Sequence, residues 1–225
     1  MKLLKTRYVT LCVMIGMLVL SGEAQAVPVG INIEPANFDN LLGGLASPTN
    51  PPLVSSFTIG NLSATVTSQP FSDGAGNYLY LYQVNNTGGP GGESITRFTA
   101  SPYVGANSSI ALGYLLSSIP DEFSVGDQTP LYGDVDSDSG PTVGFNFPVG
   151  IPYFGIPDSY ISVGNSSSVM YVESTVGPGI VTGNVIDGIV ASVSIFGPVP
   201  EPHTLLLASL ASMGLTLRRR RSARG

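Results

Sequence analysis

Twenty-eight glycines and eighteen prolines interrupt this 225-residue chain so often that few stretches are left for a helix. Inside a helix Gly costs about 1 kcal/mol and Pro about 3 kcal/mol relative to Ala. Between the Gly, Pro, Asn and Ser clusters stand short runs rich in Val, Ile, Thr, Tyr and Phe, which is the pattern of strands separated by turns. Eight such runs can be marked, at 53–59, 61–67, 78–84, 94–100, 109–116, 142–147, 168–173 and 185–196. In the run at 78–84 both alternating faces are apolar, Tyr78, Tyr80, Tyr82 and Val84 on one and Leu79, Leu81 and Gln83 on the other, as in a central strand. The expected fold is therefore all-β: an antiparallel β-sandwich of jelly-roll or immunoglobulin-like type. Only 38–45 hints at a helix, and Gly43-Gly44 would end it.

Both ends of the chain differ from this middle. Residues 1–26 have the build of a secretory signal peptide: Lys2, Lys5 and Arg7, an apolar run at 9–20, and a small-x-small cleavage site at Ala24-Gln25-Ala26. The mature chain would begin at Val27, after passage through the secretory translocon. Cys12 lies inside the apolar run and follows Leu11, which disfavours lipidation. At the other end, a Pro-Glu-Pro element is followed by an apolar run at 205–217 and then by Arg218, Arg219, Arg220 and Arg221. As a helix, residues 204–217 would reach about 21 Å, short of the ~30 Å hydrocarbon core. The arginine stems would make up the difference and orient the segment with the cluster inside, giving a C-terminal transmembrane helix. The division expected is 1–26 signal peptide, 27–197 sandwich ectodomain and 198–225 sorting signal. Three prolines in 197–202 suggest a stiff stalk that cannot continue a sheet.

The order Val199-Pro200-Glu201-Pro202, apolar run, Arg218 to Arg221 resembles the PEP-CTERM sorting signal of exported bacterial surface proteins. The resemblance implies transit across the inner membrane, transient anchoring there, and processing by an exosortase-type membrane peptidase. Export to the cell surface or extracellular matrix would follow. It covers about a tenth of the chain and implies nothing about chemistry in the middle.

Once both ends are set aside, thirteen acids face Arg97 alone in 27–199, a net charge of −12. Nucleic acid is excluded as a partner, since nothing remains to neutralise phosphates. This middle also lacks Lys, His, Cys and Trp. Disulfides, His/Cys zinc sites, Ser-His-Asp triads and Cys-His dyads are thereby excluded. A glycoside hydrolase would need paired carboxylates, but the adjacent Asp121 and Glu122 would point to opposite faces of a strand. The chain is expected not to be an enzyme.

Three further constellations carry expectations. Tyr78, Tyr80 and Tyr82 could stack sugar rings as a carbohydrate-binding module, or fill a core, which their β-propensity favours. Thr65-Val66-Thr67 matches one unit of an ice-binding face, without the repeat that such a face needs. Asp134, Asp136 and Asp138, in the acidic stretch 133–140, begin like a calcium loop, with Ser139 and Phe145 where a turn glycine and a bidentate glutamate belong. They are candidate ligands for weak Ca²⁺; a solvated acidic loop is the alternative, and no other cofactor is expected. The function expected is that of a structural or adhesive surface protein of the envelope or polymer matrix, with exopolysaccharide a candidate partner.

Overall fold

A computed structural model of the chain describes residues 30–31, 33–105, 110–136, 141–150 and 158–199. The expected signal peptide and its cleavage residues Ala24, Ala26 and Val27, the residues from Pro200 onward, and Asp138 lie outside them. In chain order the strands are β1 (Gly30–Ile31), β2 (Glu34–Asn37), β3 (Ser47–Pro48), β4 (Leu53–Ile59), β5 (Leu62–Ser72), β6 (Tyr78–Asn86) and β7 (Arg97–Ser101). They continue with β8 (Leu112–Ser117), β9 (Tyr132–Asp136), β10 (Thr142–Asn146), β11 (Met170–Ser174), β12 (Pro178–Ile186) and β13 (Val190–Pro198).

One sheet has the order β1-β9-β10-β7-β12-β13 and the other β2-β8-β11-β6-β5-β3, with β4 also paired to β5. Every pairing is antiparallel except that of β2 with β8. The two-sheet, all-β expectation therefore holds. Alternation builds the layer between the sheets: Leu62, Ala64 and Val66 of β5 and Tyr80, Tyr82 and Val84 of β6 meet Phe98, Phe145, Val185 and Ile195 from the other sheet. The opposite face of β6 is buried too, because Leu79 and Leu81 lie with Phe71, Leu115 and Tyr171 under Leu41 and Phe123. This is the central strand that its two apolar faces anticipate.

The helical hint at 38–45 becomes a 3-10 segment, Phe38–Gly44, started by Asn37, whose side chain accepts the Asp39 N–H at 3.1 Å. Among the described residues, no helix is long and apolar enough to cross a membrane. The tail at 204–217 lies outside them.

Two expectations need correction. The run at 185–196 is not one strand: Asp187-Gly188-Ile189 is a hairpin turn between β12 and β13, with Gly188 at φ +68°. Nor does the sheet stop at Gly197. Strand β13 pairs through Pro198, opposite Pro178, and the Val199 N–H donates to the Gly177 carbonyl at 3.0 Å. Two prolines can face each other there because Val199 bonds Gly177 next to them. The Pro198–Pro178 pair is thus a non-hydrogen-bonded one, which needs no N–H.

Candidate functional site

The tyrosines on the inner face of β6 belong to the core. Tyr80 and Tyr82 are both 0% exposed. Tyr80 OH donates to the Val176 carbonyl at 2.7 Å, and Tyr82 OH to the Phe196 carbonyl at 2.9 Å. Burial pushes both hydroxyls above the ordinary tyrosine range. They present no ring to a sugar. The Thr65-Val66-Thr67 unit is equally occupied: Thr67 is buried, and Thr65 Oγ1 lies 3.0 Å from Ser56 Oγ in a hydrogen bond. Asp121 and Glu122 are exposed at a turn.

Asp134 and Asp136 lie on β9, not in a turn, and share one face of that strand. Asp134 is nearly solvent-free. Its Oδ1 accepts from Arg97 Nη2 at 2.6 Å, and its Oδ2 from Asn146 Nδ2 at 2.5 Å. Arg97 Nη1 also donates to Asn146 Oδ1 at 3.1 Å. Pairing of Asp134 with Gly144 and of Asn146 with Arg97 sets these groups across three adjacent strands. A Cβ on Gly144 would sit 2.7 Å from Asp134 Oδ1 and 2.9 Å from Arg97 Nη2, so only glycine leaves room for the pair. Asp134 is thus committed to a guanidinium. Among the described residues, no three His, Cys, Asp or Glu side chains converge to hold a metal.

An open cavity of about 680 Å³ lies at one end of the sandwich, and the sequence patterns did not point to it. The 3-10 segment contributes Asn40 and Leu42, the β5–β6 turn Asp73 and Asn77, and the end of β11 Glu173 and Thr175. The Asp73 carboxylate organises its turn. Oδ1 accepts the Ala75 and Asn77 N–H groups at 2.7 and 3.1 Å, and Oδ2 accepts from Asn77 Nδ2 at 2.5 Å. The Asn77 side chain foremost, then the Ala75 N–H, holds this carboxyl below its usual range. Half-buried Glu173 behaves oppositely: burial raises its carboxyl, partly offset by a hydrogen bond from the Leu42 backbone. The wall therefore offers carboxylate oxygens and neutral amides, and among the described residues that line it none is a cation.

This cavity opens close to where the chain leaves the sandwich. Ser174 and Thr175 line it, Tyr80 holds Val176, and Gly177 holds Val199. The sequence pointed to Val199, Pro200, Glu201 and Pro202 as candidate sorting residues. It did not show that Pro198 is buried within the sheet or that Val199 packs against the core.

No curated protein and no solved structure matches the chain. A family match falls at its C-terminal end, over residues 198–221. That match implies an exported protein sorted to the cell surface by exosortase, a membrane protein. The chain carries, from the last residue of β13 to Arg221, a PEP-CTERM protein-sorting motif.

Proposed function

We propose that this protein is a non-catalytic structural or adhesive component of the bacterial envelope or its extracellular polymer matrix. A signal peptide at 1–26 sends it through the secretory translocon. The run at 204–217 then holds it in the inner membrane with Arg218 to Arg221 inside, until the peptidase releases it to the surface. The observation that carries this reading is the junction of fold and motif: the match at 198–221 begins on the final residue of β13. The body is thus directly coupled to the sorting signal. Its lack of Lys, His and Cys supports a non-catalytic role, because general acid-base and nucleophilic work would rest on carboxylates and hydroxyls alone. The test is a deletion strain complemented with the full chain or with a chain ending at Val199. Matrix cohesion and adhesion should return with the first only; equal rescue by both would refute a surface role that depends on the motif.

A second reading, recognition of a neutral saccharide, is favoured by the cavity and not by the β6 tyrosines. Carboxylate and amide groups above the apolar Leu42 and Ile110 suit sugar hydroxyls and a sugar's apolar face. Binding of neutral oligosaccharides by the full chain should weaken at least tenfold in Glu173→Gln and stay unchanged in Tyr82→Phe. The reverse order would remove the cavity from the account.

A further inference from the structure

We propose that the cavity beside the 3-10 segment takes a sugar with a free amine: the ammonium of a hexosamine unit meets the Glu173 carboxylate, and the ring lies against Leu42 and Ile110. This rests on the saccharide reading of the same cavity and goes beyond it in the chemistry of the unit, which is held through its charge and not by hydroxyls alone.

Segments far apart in sequence build the cavity, and the backbone fixes each of them. Glu173 stands on β11 opposite Leu79 of β6, and its N–H donates to the Ala111 carbonyl at 2.9 Å. Leu42 is turned into the left-handed region, at φ +49°, which a residue with a Cβ seldom adopts. In that conformation its N–H donates to the Glu173 carboxyl while the residue lines the cavity. The β5–β6 turn adds Asp73, whose oxygens already accept from the Ala75 and Asn77 N–H groups and from Asn77 Nδ2. A carboxylate offers about four acceptor sites. Asp73 is thus nearly filled by its own turn and contributes mainly its charge, whereas Glu173 has sites left for a ligand.

Among the described residues that line the cavity, nothing balances these two carboxylates. Arg97, the one cation between Val27 and Val199, is bonded to Asp134 on the other sheet. A sugar hydroxyl would donate one hydrogen bond to Glu173 and leave its charge in place. A primary ammonium brings three N–H donors and cancels that charge, and the attraction gains strength beside a half-buried group that water screens less. The field of the whole body points the same way: thirteen acids against one arginine draw cations in and turn uronates, sulfates and phosphates away.

The rest of the wall selects a ring over a plain alkylamine. A volume of about 680 Å³ lies within the range of small-molecule sites and exceeds what one amine chain fills. Leu42 and Ile110 offer an apolar surface to the C–H face of a ring. Asn40 and Thr175 offer neutral partners to its hydroxyls, and Ser174 Oγ, which accepts the Val176 N–H at 3.1 Å, keeps its own hydrogen to donate. A lysine side chain or a polyamine would reach Glu173 and leave these groups idle.

Calorimetric titration of the full chain at about pH 6, where such amines carry a proton, tests this with a tetrasaccharide of glucosamine and with its fully N-acetylated form. The amine form should bind at least about tenfold more tightly, and Glu173→Gln, which keeps the shape and removes the charge, should bring the two to within about twofold of each other. Equal affinity of the parent for both would overturn the amine assignment and leave the saccharide reading intact; no binding of either would overturn the two together. An advantage for the amine form that survived Glu173→Gln would move the contact from the cavity to some other part of the acidic body. Tetralysine is the remaining probe, and it should bind at least about tenfold more weakly than the glucosamine tetramer. Equal binding that depended on Glu173 would show that the cavity takes a bare alkylammonium and not a sugar.

Discussion

Arg97 carries the single positive charge between Val27 and Val199, and it is spent on Asp134. Removing one partner of a buried ion pair strands the other, at about 3–5 kcal/mol when both are buried. Arg97 is 29% exposed and Asp134 3%, so Arg97→Met should cost about 2–3 kcal/mol in urea unfolding at pH 7. A loss under about 0.5 kcal/mol would mean that Asp134 finds compensation elsewhere. Local pattern could not have shown this pairing: Asp-x-Asp-x-Asp looks like a loop in sequence, and only the register of β9, β10 and β7 brings Arg97 to it. The same holds for Glu173, whose carboxyl is raised by burial among segments distant in sequence. A raised carboxyl means that the folded form binds protons more readily than the unfolded one. Its contribution is full below the unfolded value of about 4.3 and is lost as pH rises through the folded value. Glu173→Gln should therefore raise the melting temperature at pH 7, with the gain shrinking towards pH 4. A gain that grew on acidification would contradict the burial of this group.

Among the elements, the β12–β13 hairpin separates what was legible from what was not. Alternation puts Ile189, Ala191, Val193 and Ile195 on one face; the last three are buried, whereas Ile189 falls in the turn and is exposed. The turn was hidden because Ile186 and Ile189 flank Asp187-Gly188 and make the apolar pattern look continuous. Asp-Gly is itself a hairpin signal, and at φ +68° the glycine is the residue that permits the turn. Gly188→Val should cost about 1–2 kcal/mol, measured by thermal or urea unfolding. An unchanged stability would show that the turn can relax out of the left-handed region. The end of the same hairpin was missed for another reason: proline normally ends a sheet, but at Pro198 the pairing asks for no donor.

For the molecule as a whole, fold class and destination were both readable, the first from strand-like runs set between turn residues and the second from a contiguous tail signature. What joins them was not readable, because it depends on contacts from Ser55, Ser68, Tyr82 and Gly177, far away in sequence. Thirteen acids against one arginine also give the body a net self-repulsion that one ion pair cannot offset. Screening over about 10 Å at 0.1 M salt should raise the melting temperature, as should acidification from pH 7.5 to 5.5, since repulsion favours proton uptake by the compact state. The central claim is that a folded sandwich reaches the surface because of the motif joined to its last strand. It is tested most directly by fractionating cells that express the full chain beside cells that express a chain ending at Val199. The account predicts surface-associated protein for the first and unattached, folded protein for the second; the same distribution for both would contradict it.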